Sequence, residues 1–151
     1  MYGLIEHTDE INRLLARYGV KFGIYKNNVF NERLFPFDAV PRIISKDEFD
    51  YLERGLKQRV KALNIFLKDI YTKKQIIKDK IIPEEFVYGA AGYMMECEGA
   101  VPPKDVFAHI SGIDLVQGND MRWYVLEDNL RVPSGASYPM IARELCRRAS
   151  P

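Results

Sequence analysis

Apolar residues recur at intervals of three and four from Phe49 to Ile70, through Leu52, Leu56, Val60, Leu63 and Leu67. That spacing lines up one face of a helix. Ser45 followed by Glu48 marks its start as a capping box, in which each side chain satisfies an orphaned backbone donor of the first turn. The pattern predicts a helix over about 45–71. Thr72 with Gln75 repeats the box and predicts a short second helix that ends before Pro83. Nearer the start, Ile11, Leu14, Leu15 and Tyr18 predict a helix over 8–18, stopped by Gly19. Residues 20–25 read as a strand, turned by Asn27-Asn28 before Val29-Phe30. Residues 34–42, with two prolines and two phenylalanines, read as an extended, packed connector.

The second half is less regular. Residues 88–105 hold three glycines and two prolines and read as a long irregular loop. Loops of that length inside a compact domain often serve function, as a lid or a partner-facing surface. Residues 106–117 and 122–130 read as two strands around Gly118-Asn119-Asp120-Met121, and residues 137–148 as a closing helix. Arg143, Arg147 and Arg148 suit the negative end of that helix. The expected fold is α/β of the α+β type: a mixed sheet whose hairpin packs against the long helix, with 1–151 as a single domain.

Composition narrows the function classes. The chain has 151 residues, 47% hydrophobic and 28% charged, enough apolar material for a core. A formal net charge of +1 selects neither nucleic acid nor an anionic membrane. Residues 45–79 carry nine Lys/Arg against six Asp/Glu, which reads as a solvated helix face. Cys97 and Cys146 belong to no C-x-x-C pattern and read as reduced thiols of a cytoplasmic protein. No apolar run approaches the ~18 residues of a membrane span, and the start lacks the pattern of a signal peptide. Gly89-Ala90-Ala91-Gly92 lacks the G-K-[ST] ending that makes a phosphate loop.

The chemistry concentrates in the 106–130 hairpin. With the turn centred between Asn119 and Asp120, Asp114 pairs with Val125 and Gln117 with Arg122. Alternation then puts Asp114, Val125, Glu127 and Asn129 on one face. Glu127 lies diagonal to Asp114 at about 7–8 Å between backbones. Two carboxylates and an amide at a strand end suit a hard cation such as Mg²⁺, which takes one or two carboxylates plus phosphates and water. Asp128 points the other way, so Asp128→Asn is expected to be silent. His109 falls on the face opposite Asp114 and reads as a packed or hydrogen-bonded histidine. No Ser–His–Asp or Cys–His pattern supports covalent hydrolysis.

The run from Ile113 to Arg143 resembles the metal hairpin of ATP-grasp ligases such as D-alanine–D-alanine ligase. There an aspartate-bearing strand, a turn, an aromatic-rich strand and E-x-N lead into a Pro/Gly/Ser loop and a helix. The matching positions are Asp114, Glu127 and Asn129, and Pro133-Ser134-Gly135. From about Gly19 onward the chain is similar to a narrower group, the circularly permuted ATP-grasp proteins related to glutathionylspermidine synthetase. Four stretches carry that likeness. They are Phe35-Pro36-Phe37-Asp38 with Pro41-Arg42, then Gln58-Arg59-Val60-Lys61-Ala62-Leu63-Asn64, then Gly112-Ile113-Asp114, and finally the run from Leu126 to Gly135.

The resemblance implies that Glu127 and Asn129, with Asp114 near them, hold Mg²⁺ on ATP phosphates. Arg131, Ser134 and Ser137 fall where substrate is bound, and no catalytic side chain is assigned. It implies a carboxylate–amine ligase working through an acyl phosphate, with ATP and Mg²⁺ as cofactors and a small-molecule or peptide carboxylate and an amine as partners. In the permuted order this hairpin comes early and the adenine pocket, phosphate lysines and glycine-rich lid follow. Residues 1–151 by themselves are therefore expected to be inactive and not to bind ATP at micromolar concentration. The alternative is a non-catalytic binding module that retains the fold. The roles of Asp38, Arg42 and the 88–105 loop stay open at this point.

Overall fold

Helix and hairpin alternate along the chain: α1 (Tyr2–Arg17), β1 (Lys21–Lys26), β2 (Val29–Leu34), α2 (Lys46–Tyr71), α3 (Gln75–Lys78), α4 (Glu84–Tyr88), β3 (Gly112–Gln117), β4 (Trp123–Asn129) and α5 (Ser137–Ala149). This computed structural model describes residues 2–38, 40 and 42–149, and the side chains of residues 8–148 within them. Pro41 and Pro151, both singled out in the sequence, lie outside the described residues. Two units form, one from Met1–Ile44 with Ser134–Pro151 and the other from Ser45–Pro133.

In the first unit Ile11 and Leu15 of α1 meet Leu145 of α5, and Leu15 and Leu145 are fully buried. Val20, Phe35, Phe37, Ile141 and Cys146 pack around them. Helix α1 starts earlier than its apolar spacing suggests, since residues 1–7 hold no proline to stop it. It ends where Gly19 adopts φ +65° and Val20 N–H closes onto the Leu15 carbonyl. Strands β1 and β2 pair antiparallel around Asn27 and Asn28, both at positive φ, the two-residue turn that matches strand twist. Strand β2 runs on to Leu34, beyond the Val29-Phe30 that the sequence marked. Tyr138 of α5 stacks on Phe35 at 4.5 Å and donates its hydroxyl to the Lys21 carbonyl.

In the second unit α2 is the organising element. Ser45 caps it, its Oγ accepting the Glu48 N–H at 3.2 Å. The apolar face is half-buried from Leu52 to Leu67 and buried at Ile70, while Phe49 is exposed. The second capping box does not form. Thr72 instead ends α2, and the Asp69 carboxylate accepts the Gln75 and Ile76 N–H groups. The 88–105 segment is irregular, as its glycines and prolines require, apart from 3₁₀ turns at Met95–Cys97 and Pro103–Asp105. It is tied back to α2 by Tyr71 stacked on Tyr93 at 5.0 Å and by the Gly99 N–H on the Tyr71 carbonyl.

Among the described residues the strands form two antiparallel hairpins in place of the expected mixed sheet. Strand β3 begins only at Gly112, because the Phe107 and Ala108 N–H groups donate to the Asn64 side chain rather than to a ladder. His109, read as packed or hydrogen-bonded, is not packed but exposed in the segment before the strand.

Candidate functional site

The β3–β4 turn is longer and shifted from the register that the sequence suggested. Gln117 pairs with Trp123, not Arg122, and Gly118 N–H donates to the Arg122 carbonyl. Met121 takes φ +62° in the turn, and the Asp120 carboxylate, held below its usual range by the Tyr124 hydroxyl, accepts that hydroxyl at 2.7 Å. Leu115 therefore faces Val125. One step on, Asp114 faces Glu127, and Leu126 is the extra residue of a β-bulge.

The bulge reassigns the two faces. Val125, expected beside Asp114, instead joins Leu115 and Trp123 on the face toward α2, where a groove of about 690 Å³ opens against Leu52 and Leu56. Glu127 becomes the direct partner of Asp114 rather than its diagonal neighbour, with Cβ atoms of such pairs ~4.5–5.5 Å apart. Gly112 faces Asn129 in the same way. Asp114, Glu127 and Asn129 thus still share a face, for a different reason than simple alternation. Asn129 Nδ2 donates to Glu127 Oε1 at 2.9 Å, so the two side chains already touch. Asp114 and Glu127 are exposed and Asn129 is half-buried.

Asp128 points to the opposite side, toward α2, as alternation requires. It accepts Arg59 Nε at 2.7 Å and Arg59 Nη2 at 2.6 Å, a two-pronged ion pair. The guanidinium's hydrogen bond holds the Asp128 carboxyl below the usual carboxylate range and raises Arg59 in return. Sequence reading missed this pair, and with it the cross-link from Trp123 Nε1 to Glu48. The signal available was the Gln58–Asn64 stretch, singled out by resemblance but without a mechanism.

Arg131 is exposed just after the strand. Ser134 opens a 3₁₀ turn, and Ser137 donates its hydroxyl to the Ser134 carbonyl at 2.7 Å at the start of α5. Asp38 accepts the Val40 N–H at 2.9 Å, a local turn contact. Among the described residues no group of three or more His, Cys, Asp or Glu gathers to hold a metal ion. The 114–127–129 set is two carboxylates and an amide, all oxygen donors. A cation there needs further ligands from water or phosphate, as Mg²⁺ ordinarily does. No helix among the described residues is long and apolar enough to cross a membrane.

Comparison with known proteins places the chain in a family. Residues 41–151 match the family described as a circularly permuted ATPgrasp. An uncharacterized protein of Synechocystis is 46% identical over 98% of this chain, which spans 31% of that protein. Another, of Mycobacterium leprae, is 43% identical over 91% of the chain and 24% of its own length. A Frankia casuarinae protein, provisionally named a glutamate–cysteine ligase, is 47% identical over 79% of the chain and 14% of its own length. The chain thus spans less than a third of the length of these curated relatives. By sequence match over most of its length, and with the hairpin and helix described above, the chain belongs to the circularly permuted ATP-grasp family.

Proposed function

We propose that this chain is the metal-binding segment of an ATP-dependent carboxylate–amine ligase of the cytoplasm. The observation that carries the reading is the bulge-set opposition of Asp114 and Glu127, with Asn129 on the same face and in contact with Glu127. In this reading Glu127 and Asn129 are the ligands of Mg²⁺ on the ATP phosphates, and Asp114 supports them from across the hairpin. An ion held by these residues would supply positive charge against the phosphates. The exposed Arg131 offers a planar fork for a phosphate or carboxylate oxygen. A substrate-binding role for Ser134 and Ser137 rests on the resemblance, and the Ser137 hydroxyl is already engaged by the Ser134 carbonyl.

The reaction follows from those roles. A substrate carboxylate oxygen attacks the γ-phosphorus of ATP and ADP leaves, giving an acyl phosphate. The amine then attacks the acyl carbon, phosphate departs and the nitrogen loses a proton. Such steps depend mainly on positioning and on stabilising charge. The ligase name of the Frankia relative supports the class of reaction. Its substrates are not carried over, because the chain matches only 14% of that protein.

The test is a screen of amines and amino acids for ATP-dependent phosphate release by the full-length protein. Release that requires both a carboxylate and an amine is the expected result. No release with any pair, and no ATP binding, favours the binding module instead.

A further inference from the structure

The Gln58–Asn64 stretch and the Leu126–Gly135 run lie far apart in the sequence, yet side chains of α2 reach β4 and the segment that leads into β3. Arg59 Nε and Nη2 grip the two oxygens of Asp128 at 2.7 and 2.6 Å across 69 positions. Asn64 Oδ1 accepts the Phe107 and Ala108 N–H groups at 2.8 and 3.0 Å, fixing the approach to β3, while its Nδ2 donates to the Val60 carbonyl. Asp128 is flanked by Glu127 and Asn129, and its side chain is only 18% exposed.

A strand with a bulge has a neighbouring register within reach, and a slip of one residue exchanges its faces. Here such a slip turns Asp128 toward Asp114 and withdraws Glu127 and Asn129. The guanidinium fork accepts a carboxylate in one plane and one orientation, which a lysine ammonium does not impose. We infer that Arg59 is a positioning residue for the hairpin: by clamping Asp128 against α2 it holds Glu127 and Asn129 on the face of Asp114. The inference rests on the metal role proposed above, and it reverses the expectation that Asp128→Asn is silent. An ion pair with Arg59 43% exposed contributes little to stability. Its loss therefore registers in the geometry of the ligands more than in the melting temperature.

The experiment uses the full-length protein with ATP and Mn²⁺ as the spectroscopic probe, bound metal being read by electron paramagnetic resonance. Melting temperature is followed in parallel, and where turnover is measurable, KM for Mg²⁺ is separated from kcat. R59K and D128N are expected to weaken Mn²⁺ binding about 10–100-fold, the usual cost of losing a group that orients a ligand, with little change in melting temperature. The swap R59D with D128R is expected to recover most of the affinity. Unchanged Mn²⁺ binding in R59K and D128N, while E127Q loses it, overturns the positioning role and leaves the metal site standing. Unchanged binding in E127Q overturns both.

Discussion

Glu48 and Trp123, 75 positions apart, are joined by a 2.9 Å hydrogen bond from the indole N–H to the carboxylate. The first turn of α2 is thereby fixed to the first residue of β4. At the same turn the Ser45 side chain caps the helix, accepting the Glu48 N–H. Ser45→Ala is expected to cost about 1 kcal/mol, the usual worth of an N-cap oxygen. Glu48→Ala is expected to cost a further ~1 kcal/mol by removing the carboxylate that accepts from the half-buried indole N–H. Denaturant unfolding of each variant, with Trp123 fluorescence as the probe, measures both. A Glu48→Ala spectrum identical to the parent contradicts the link.

Gly112 is required by close approach rather than by backbone freedom. It faces Asn129, and a Cβ there comes 2.8 Å from Pro133 Cβ and 3.5 Å from Asn129 Cβ. The proline ring has little room to yield. Gly112→Ala is expected to destabilise by about 1–3 kcal/mol, as overpacking usually does. Unfolding midpoints check it, and a neutral result means that the loop after β4 gives way freely.

The Tyr93 hydroxyl donates to Glu98 at 2.6 Å, and Lys74 pairs with the same carboxylate at 2.8 Å. Desolvation and then that hydrogen bond push Tyr93 up to about 12 from 10.0. Lys74 is also raised, chiefly by Glu98, while Glu98 is lowered from 4.5, chiefly by Lys74 and next by Tyr93. Raised groups stabilise below their unfolded values and lose that contribution as pH climbs through the folded ones. Glu98 does the reverse, losing its contribution as pH falls below 4.5 through its folded value. The melting-temperature gap between the parent and Tyr93→Phe should persist up to pH 10 and close toward 12. A gap that closes well below pH 10 contradicts the arrangement.

Much of this fold was legible from local pattern. The α2 stripe, the Ser45 cap, the Gly19 stop and the Asn27-Asn28 turn depend on residues within a turn or two of one another. What escaped depends on distant partners. The 106–111 stretch has strand composition, but the Phe107 and Ala108 backbone donors go to Asn64. Thr72 and Gln75 have the spacing of a capping box, but Asp69 takes the donors. At the site, alternation alone grouped Asp114, Glu127 and Asn129 correctly and wrongly added Val125. The bulge at Leu126 carries no local signature. Arg59, which reaches Asp128 from α2, was visible only as part of an unexplained stretch.

The proposed metal site depends most directly on Glu127. Its measurement is turnover of the full-length protein against Mg²⁺ concentration for Glu127→Gln, Asn129→Ala and Asp114→Asn, with folding confirmed for each. Glu127→Gln and Asn129→Ala are expected to lower turnover by orders of magnitude, the first because a neutral amide no longer offsets the ion's charge and the second because an oxygen ligand is removed. Asp114→Asn is expected to lose about 10–100-fold, as a supporting group does. Parent-like turnover and Mg²⁺ dependence in Glu127→Gln contradicts the metal site.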